Sequence, residues 1–168
     1  RVGNATAQAA LGQLRIAVAT GAPFAGALAD VADGAGVDMP EALAATAETG
    51  VPTLEELQST FPAAARAALP IAIRETAGEG TMNRVTAFLQ SQVGGRSLEP
   101  QEGDSPDAVL SRAEAALRAG DLSGTVAEVE TLPADAQAEM ADWMASAQTR
   151  IAAMEAMDAF AASLDAAN

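Results

Sequence analysis

The side chains that could do chemistry in this sequence are almost all carboxylates and arginines. Its 168 residues include 23 Asp and Glu, while His, Cys, Lys and Tyr are absent. Imidazole bases, thiolate nucleophiles and Schiff-base amines are therefore excluded. Only a carboxylate enzyme or a carboxylate metal site would remain. We predict neither, and so no catalytic residue, no metal, no cofactor and no small-molecule substrate.

Two local patterns resemble functional sites, and each has a simpler structural explanation. Asp30, Asp33 and Asp38 flank a Gly-rich stretch but lack the alternating ligands and distal Glu of a helix–loop–helix calcium site. We expect a solvated loop there. Ser105 has no base to activate it, and its place before Pro106 predicts a helix N-cap instead.

The charge balance excludes further functions. A net charge of −14 argues against nucleic acid as a partner, since phosphate recognition needs a basic surface. No apolar run approaches the ~20 residues of a membrane span. The sequence begins at Arg1 without a signal-peptide pattern, so we expect any targeting or anchoring segment to lie outside these residues.

The composition predicts an all-α fold. Ala accounts for 44 residues and is the best helix former, yet it buries little surface. No segment alternates with a period of two, so no strands are expected. We predict a helical bundle of short helices with a C-terminal helical hairpin and a long final helix. The core must depend on a few larger side chains, and such domains often gain stability from a partner or from self-association.

In the N-terminal region, apolar residues at helical spacing predict a helix over residues 4–20 and a second helix after Pro23. We expect a loop over residues 33–37. Capping-box patterns at Asp38–Glu41 and Thr53–Glu56 predict two further helix starts. A helical stretch over residues 61–77 should be kinked or ended by Pro70. A short helix is expected over residues 81–93.

The C-terminal pattern is the clearest. We predict a hairpin whose first helix starts at Ser105, and whose turn is Gly120 followed by the N-cap Asp121. We place the main internal boundary at residues 96–104, giving regions 1–98 and 99–168. Residues 105–166 should form a three-helix unit with Trp143 as a core anchor. The predicted stripe of the long helix that starts at Pro133 is Ala136, Met140, Trp143, Ala147, Ile151 and Met154.

Residues 61–98 differ in charge from the rest of the sequence. Four Arg against two Glu give this segment a net charge of +2 and leave −16 for the remainder. A basic, apolar helical stretch is typical of a membrane-surface element, but it can equally pack within the domain while its arginines pair with nearby acids. Composition alone favours internal packing. The residues concerned are Arg66, Arg74, Arg84, Arg96, Phe61, Leu69, Ile71, Ile73, Phe88 and Leu89.

The ordered set of motifs resembles the C-terminal domain of the mitofilin family, in the Ala-rich form found in alphaproteobacteria. Each motif is weak alone, but their order and spacing hold over nearly the whole sequence. Gln148 departs from the pattern, because the family usually has Arg there, and Arg150 lies two residues on. The residues that carry the resemblance are Gly21–Phe24, Gly50–Thr53 with Leu57 and Phe61, Phe88–Ser91, Gly120, Asp121, Leu122, Leu132, Asp142, Trp143 and Ala147.

The resemblance implies a scaffold that shapes membranes at crista junctions or, in bacteria, at inner-membrane invaginations. It implies an N-terminal membrane anchor followed by a coiled coil, with this domain last and facing the periplasm. Implied partners are the phospholipid surface, further copies of the chain and outer-membrane assembly proteins. With the resemblance added, lipid contact by residues 61–98 becomes the favoured interpretation, with Phe88 and Leu89 as wedges and Arg66, Arg74, Arg84 and Arg96 on phosphates. The alternative is a soluble helical protein–protein interaction module without lipid contact.

Overall fold

A computed structural model of the protein describes residues 2–77 and 102–166, with side chains from residue 5 onward. All regular structure in these two ranges is helical, which confirms the all-α prediction. None of these helices has the length and hydropathy needed to cross a bilayer. The helices are α1 (Val2–Thr20), α2 (Ala25–Ala35), α3 (Glu41–Ala44), α4 (Leu54–Ala77), α5 (Pro106–Arg118), α6 (Leu122–Val129), α7 (Ala134–Glu139) and α8 (Ala141–Ala166).

The chain divides into two compact units that are interleaved in sequence. Unit 1 consists of Arg1–Thr53 and Gln148–Asn168, and unit 2 of Leu54–Ala147. The final helix α8 therefore contributes residues to both units. The boundary predicted at residues 96–104 lies largely outside the described residues, so the division into 1–98 and 99–168 stays a prediction.

Unit 1 is built on three apolar helix faces. The predicted face of α1 is buried at Ala7, Leu11, Leu14 and Val18. The second helix buries Leu28, Val31 and Ala32, and the C-terminal half of α8 completes the same core. Most side chains of this core are Leu, Val or Phe, and the small Ala residues among them allow the helices to approach closely. The other core side chains are Phe24, Leu28, Val31, Ala153, Met157, Phe160 and Leu164.

Two expectations for unit 1 are wrong. Helix α2 continues through the predicted loop to Ala35 and ends where Gly36 adopts the left-handed conformation, with φ of +66°. The capping box at Asp38 does not form, because α3 begins after Pro40 and has no side-chain cap. Pro40 is already extended and has no N–H, so the chain enters this four-residue helix without needing the carboxylate.

In unit 2, α4 begins directly after Thr53, as predicted, and does not end at Pro70. It runs through both Pro62 and Pro70 to Ala77. The ring of Pro70 lies on the exposed side of the helix. Pro70 has no N–H to donate within the helix, but a continuous stripe of buried residues packs the helix before and after it. The stripe consists of Leu57, Phe61, Ala65, Ala68 and Ala72.

The hairpin of α5 and α6 has the predicted caps. The Ser105 hydroxyl accepts a bond from the Ala108 N–H at 3.2 Å, and Asp121 Oδ1 accepts one from the Gly124 N–H at 2.8 Å. Across the hairpin, the Arg112 guanidinium donates to both carboxylate oxygens of Glu128, at 3.0 and 3.1 Å. This bidentate pair raises the pKa of Arg112 and fixes the register of the two helices.

The predicted final helix differs from the structure in two ways. It is divided at Met140 into α7 and α8, so residues 105–166 contain four helices rather than three. Its predicted stripe is buried as far as Ala147, but Ile151 is half-buried and Met154 is 39% exposed. Beyond Ala147 the helix belongs to unit 1. The first buried residue there is Ala153, one position before the predicted Met154.

Candidate membrane-contacting surface and signature motifs

Trp143 joins two of the motifs that carry the family resemblance. Its side chain is only 6% exposed, as the stripe predicted. The indole N–H donates to the Leu57 carbonyl oxygen at 3.0 Å, and the ring packs edge-on against Phe61 with 4.9 Å between centroids. Both contacts of Trp143 are with α4, and packing against the α5–α6 hairpin stays a prediction. The Leu57/Phe61 motif and the Asp142-Trp143 motif form one contact within unit 2.

The two glycine motifs of unit 1 also meet. Gly50 and Gly21 both have positive φ, and a Cβ on Gly50 would overlap the carbonyl of Gly21. Next to this crossing, the Phe24 N–H donates to the Ala47 carbonyl at 2.8 Å. Only residues without a side chain allow the two turns to approach this closely. These motifs therefore act in packing.

The Gly120-Asp121-Leu122 motif forms the turn of the hairpin. Gly120 has φ of +82°, and the Asp121 N–H closes the end of α5 by donating to the Ala116 carbonyl at 2.9 Å. Leu122 and Ala147 are buried. Each of these signature residues therefore has a structural role in unit 2.

Arg150 makes a long-range contact close to the position where Gln148 departs from the family pattern. Gln148 is exposed, whereas Arg150 is half-buried and donates from Nη1 to the Pro52 carbonyl oxygen at 3.0 Å. Burial lowers the pKa of the guanidinium. The contact ties α8 to the segment before α4 through a main-chain acceptor. Sequence spacing did not predict it, because 98 residues separate the two groups.

Two of the predicted lipid-contact residues lie on one exposed face of α4. Arg66 and Arg74 are eight positions apart, so they are about 12 Å apart along the axis. No acidic residue occurs in the sequence between Glu56 and Glu75. We call this surface the outer face of α4. It consists of Ser59, Ala63, Arg66, Pro70 and Arg74, all of them exposed.

Some features near this face favour packing and charge pairing within the domain over contact with lipid. Arg66 donates from Nε to the Pro62 carbonyl at 3.2 Å and lines a shallow groove of about 50 Å³ that also contains Asp107 and Glu114 of α5. Phe61, one of the apolar residues of the segment, is fully buried. Leu69, Ile71 and Ile73 are half-buried. The predicted lipid contacts Arg84, Phe88, Leu89 and Arg96 lie outside the described residues, as does the predicted helix 81–93.

Sequence reasoning missed a carboxyl pair near the end of α4. The carboxyl group of Glu75 on α4 lies next to Asp135 on α7. Burial raises the pKa of Glu75, and the neighbouring Asp135 carboxyl raises it further, while the Asp135 backbone N–H and the charge of Arg74 act in the opposite direction. A cleft of about 470 Å³ lies beside Glu75 and is otherwise lined by Thr76, Asp104, Pro106, Val109, Thr131, Leu132 and Pro133.

Within residues 2–77 and 102–166, no group of three or more acidic side chains is placed to hold a metal ion. The residues of the motifs that carry the family resemblance make an aromatic contact, cap helices or allow two backbone turns to approach closely. Fold and site together define an all-helical domain whose helix α4 has an exposed face with two arginines.

A comparison with protein families agrees with this class. The sequence profile of the Mitofilin family, described as a mitochondrial inner membrane protein, matches residues 38–163. The match covers about three quarters of the chain, so the chain belongs to the mitofilin family. The family is one of structural scaffolds at the inner membrane rather than of enzymes. No curated protein and no solved structure matches the chain.

Proposed function

We propose that this domain is a membrane-shaping scaffold that binds anionic phospholipid through the outer face of α4 and also self-associates. The observation that carries the proposal is the placement of Arg66 and Arg74 on one exposed face that lacks acidic residues, in a chain of net charge −14. Arg suits this role because its guanidinium binds phosphate in a bidentate way while its stem lies along apolar surface.

Charge distribution supports a directional contact. Each Arg near an anionic surface contributes ~1 kcal/mol within about a Debye length. Repulsion from the acidic remainder is offset only where the basic face is turned to the membrane. In this proposal Phe88 and Leu89 insert, and Arg84 and Arg96 add phosphate contacts.

The alternative function is a soluble protein–protein interaction module without lipid contact. The full burial of Phe61 and the position of Arg66 beside Asp107 and Glu114 favour it. In that case a protein partner would use the domain, and the membrane work would be done elsewhere in the protein. Outer-membrane assembly proteins are the proposed partner class, on the strength of the family resemblance alone.

Liposome co-sedimentation tests the proposal. The variant Arg66→Glu/Arg74→Glu should bind anionic liposomes at least about 25-fold more weakly than the parent, since two lost contacts of ~1 kcal/mol each give this factor. Its helicity should be unchanged. High salt should weaken the parent only in part, because screening acts on attraction and not on insertion.

A charge-matched control separates a local contact from a general effect of charge. Arg15→Glu/Arg118→Glu makes the same change in net charge at two exposed arginines on other helices. This control should bind like the parent. Equal losses in both double variants, or no binding by the parent at any salt concentration, would contradict the proposal and leave the interaction module as the better reading.

Self-association is the second part of the proposal. Among the residues whose side chains the structure describes, the large apolar ones that stay exposed are Ile16, Met39 and Met154, and all three belong to unit 1. Helix α1 also has no acidic residue, so two copies would meet there with little repulsion. We propose a homodimer or larger species at micromolar concentration, which light scattering would detect. We also propose that the domain acts at the periplasmic face of a bacterial inner membrane, anchored by a transmembrane segment outside this chain.

A further inference from the structure

The chain passes between its two compact units at two places. Unit 1 is interrupted after Thr53, where unit 2 begins with Leu54. The chain returns to unit 1 between Ala147 and Gln148. The first passage lies in the non-helical segment before α4, whereas the second lies inside the continuous helix α8. The two passages therefore differ in kind, and only one of them is held by a helical hydrogen-bond ladder.

Each unit contains a hydrogen bond that ties one passage to the other. In unit 1, Arg150 Nη1 donates to the Pro52 carbonyl oxygen at 3.0 Å. In unit 2, the Trp143 indole N–H donates to the Leu57 carbonyl oxygen at 3.0 Å. All four residues lie within four positions of a passage. Each unit, taken by itself, thus keeps the two points where the chain leaves it close together.

The bond made by Arg150 depends on the folded state of unit 1. The guanidinium is half-buried, and a partly desolvated cation without an acceptor is costly, so the Pro52 carbonyl compensates for its burial. The part of α8 that follows Arg150 is held by the core of unit 1 through Met157 and Phe160. If that core opens, α8 loses this support and the bond to Pro52 is lost with it.

We propose that Arg150 couples the unfolding of the two units, because its bond to the Pro52 carbonyl makes the segment that leads into α4 depend on the folded state of unit 1. Continuity of α8 does not ensure this coupling, since a helix can fray at one end and stay folded at the other. Without Arg150, the start of α4 would keep its bond to Trp143 while unit 1 opens. The proposal concerns folding and rests on neither lipid binding nor self-association.

Two spectroscopic probes distinguish the units. Trp143 is the only Trp of the chain, so its fluorescence reports on unit 2, whereas far-UV circular dichroism reports on the helices of both units. In the parent at low protein concentration, the thermal transitions of the two probes should coincide. Arg150→Met keeps a long apolar stem but removes the donor. It should lose part of its circular dichroism about 4–8 °C below the fluorescence transition.

Two control variants separate coupling from a general loss of stability. Val31→Ala weakens unit 1 by leaving a cavity in its core and keeps Arg150, so both probes should shift together. Arg15→Met removes an exposed arginine of α1 and should melt like the parent. Coincident transitions in Arg150→Met would overturn the proposal, and so would separate transitions in Val31→Ala or in the parent.

Native-state hydrogen exchange tests the coupling in the parent without any variant. The slowest amides of α2 in unit 1 and of α5 in unit 2 should open with the same free energy, since one event releases both. In Arg150→Met, the slowest α2 amides should exchange about fivefold to tenfold faster, while those of α5 keep their rate. Independent opening of α2 and α5 in the parent, or equal acceleration of both in Arg150→Met, would contradict the coupling.

Discussion

At the scale of single residues, Trp143 has the contacts from which a large energetic effect is expected. It combines burial, an aromatic contact with Phe61 and a hydrogen bond to the Leu57 carbonyl. The spacing of Met140, Trp143 and Ala147 was enough to predict that the side chain is buried. It was not enough to predict the partner, because Leu57 is 86 residues away and helical periodicity contains no information about contacts at that separation.

Trp143→Ala should destabilise unit 2 by roughly 3–5 kcal/mol, because it leaves a cavity against Phe61 and removes the indole donor. Trp143→Phe should cost less, since a ring remains in place. Urea unfolding followed by far-UV circular dichroism measures both. Met154→Ala on the same helix is the matched control and should stay within about 0.5 kcal/mol of the parent. A Trp143→Ala chain that unfolds like the parent would refute the assigned packing.

At the scale of elements, two helix starts with local signals in the sequence, at Ser105 and Asp121, were predicted correctly. Ser105 and Asp121 are N-caps because their short polar side chains reach the free N–H groups of the next turn. Asp38 has the same type of pattern, but Pro40 starts that helix without it. The break at Met140 has no such signal, since no Gly or Pro marks it, and tertiary packing decides it.

Asp121→Ala should destabilise the hairpin by about 0.5–2 kcal/mol, because the N-terminal turn of α6 loses its acceptor. Asp121→Asn keeps an acceptor oxygen at the same place and should retain most of the stability. The difference between the two variants in thermal melts separates capping from charge. If Asn and Ala cost the same, the negative charge rather than the bond to the Gly124 N–H is what matters.

The outer face of α4 belongs to the same scale, and only part of it was predictable. The uneven distribution of Arg in the sequence pointed to residues 61–98. The helical phase then places Arg66 and Arg74 on one side, opposite the buried stripe of Leu57 and Phe61. The sequence did not indicate the acidic neighbours contributed by α5, because they depend on how the helices pack.

At the scale of the whole molecule, the two compact units do not follow one another along the chain. Unit 1 needs residues from both ends of the chain, and unit 2 is continuous. The prediction of two consecutive regions relied on the Gly- and Pro-containing connector near residue 100. Composition marks such connectors well, but it cannot show that the last helix returns to the core of the first two.

Fragments distinguish the two divisions of the chain. Residues 54–147 should fold with a cooperative thermal transition, since they contain the Trp143 contacts and the hairpin. Residues 1–98 should be poorly helical, because they lack Met157, Phe160 and Leu164, which complete the core of unit 1. Circular dichroism and melting curves measure both. A cooperative transition in 1–98 would support the consecutive regions instead.

The close approach of Gly50 to Gly21 limits which substitutions can be accepted at position 50 during evolution. A side chain at position 50 would clash with the main-chain carbonyl of residue 21. That carbonyl is the same whichever amino acid stands at position 21. No second-site substitution there can therefore relieve it, unlike a clash between two side chains. Position 50 should consequently stay glycine in any descendant that keeps this turn, while the Ala-rich helix surfaces around it remain free to change.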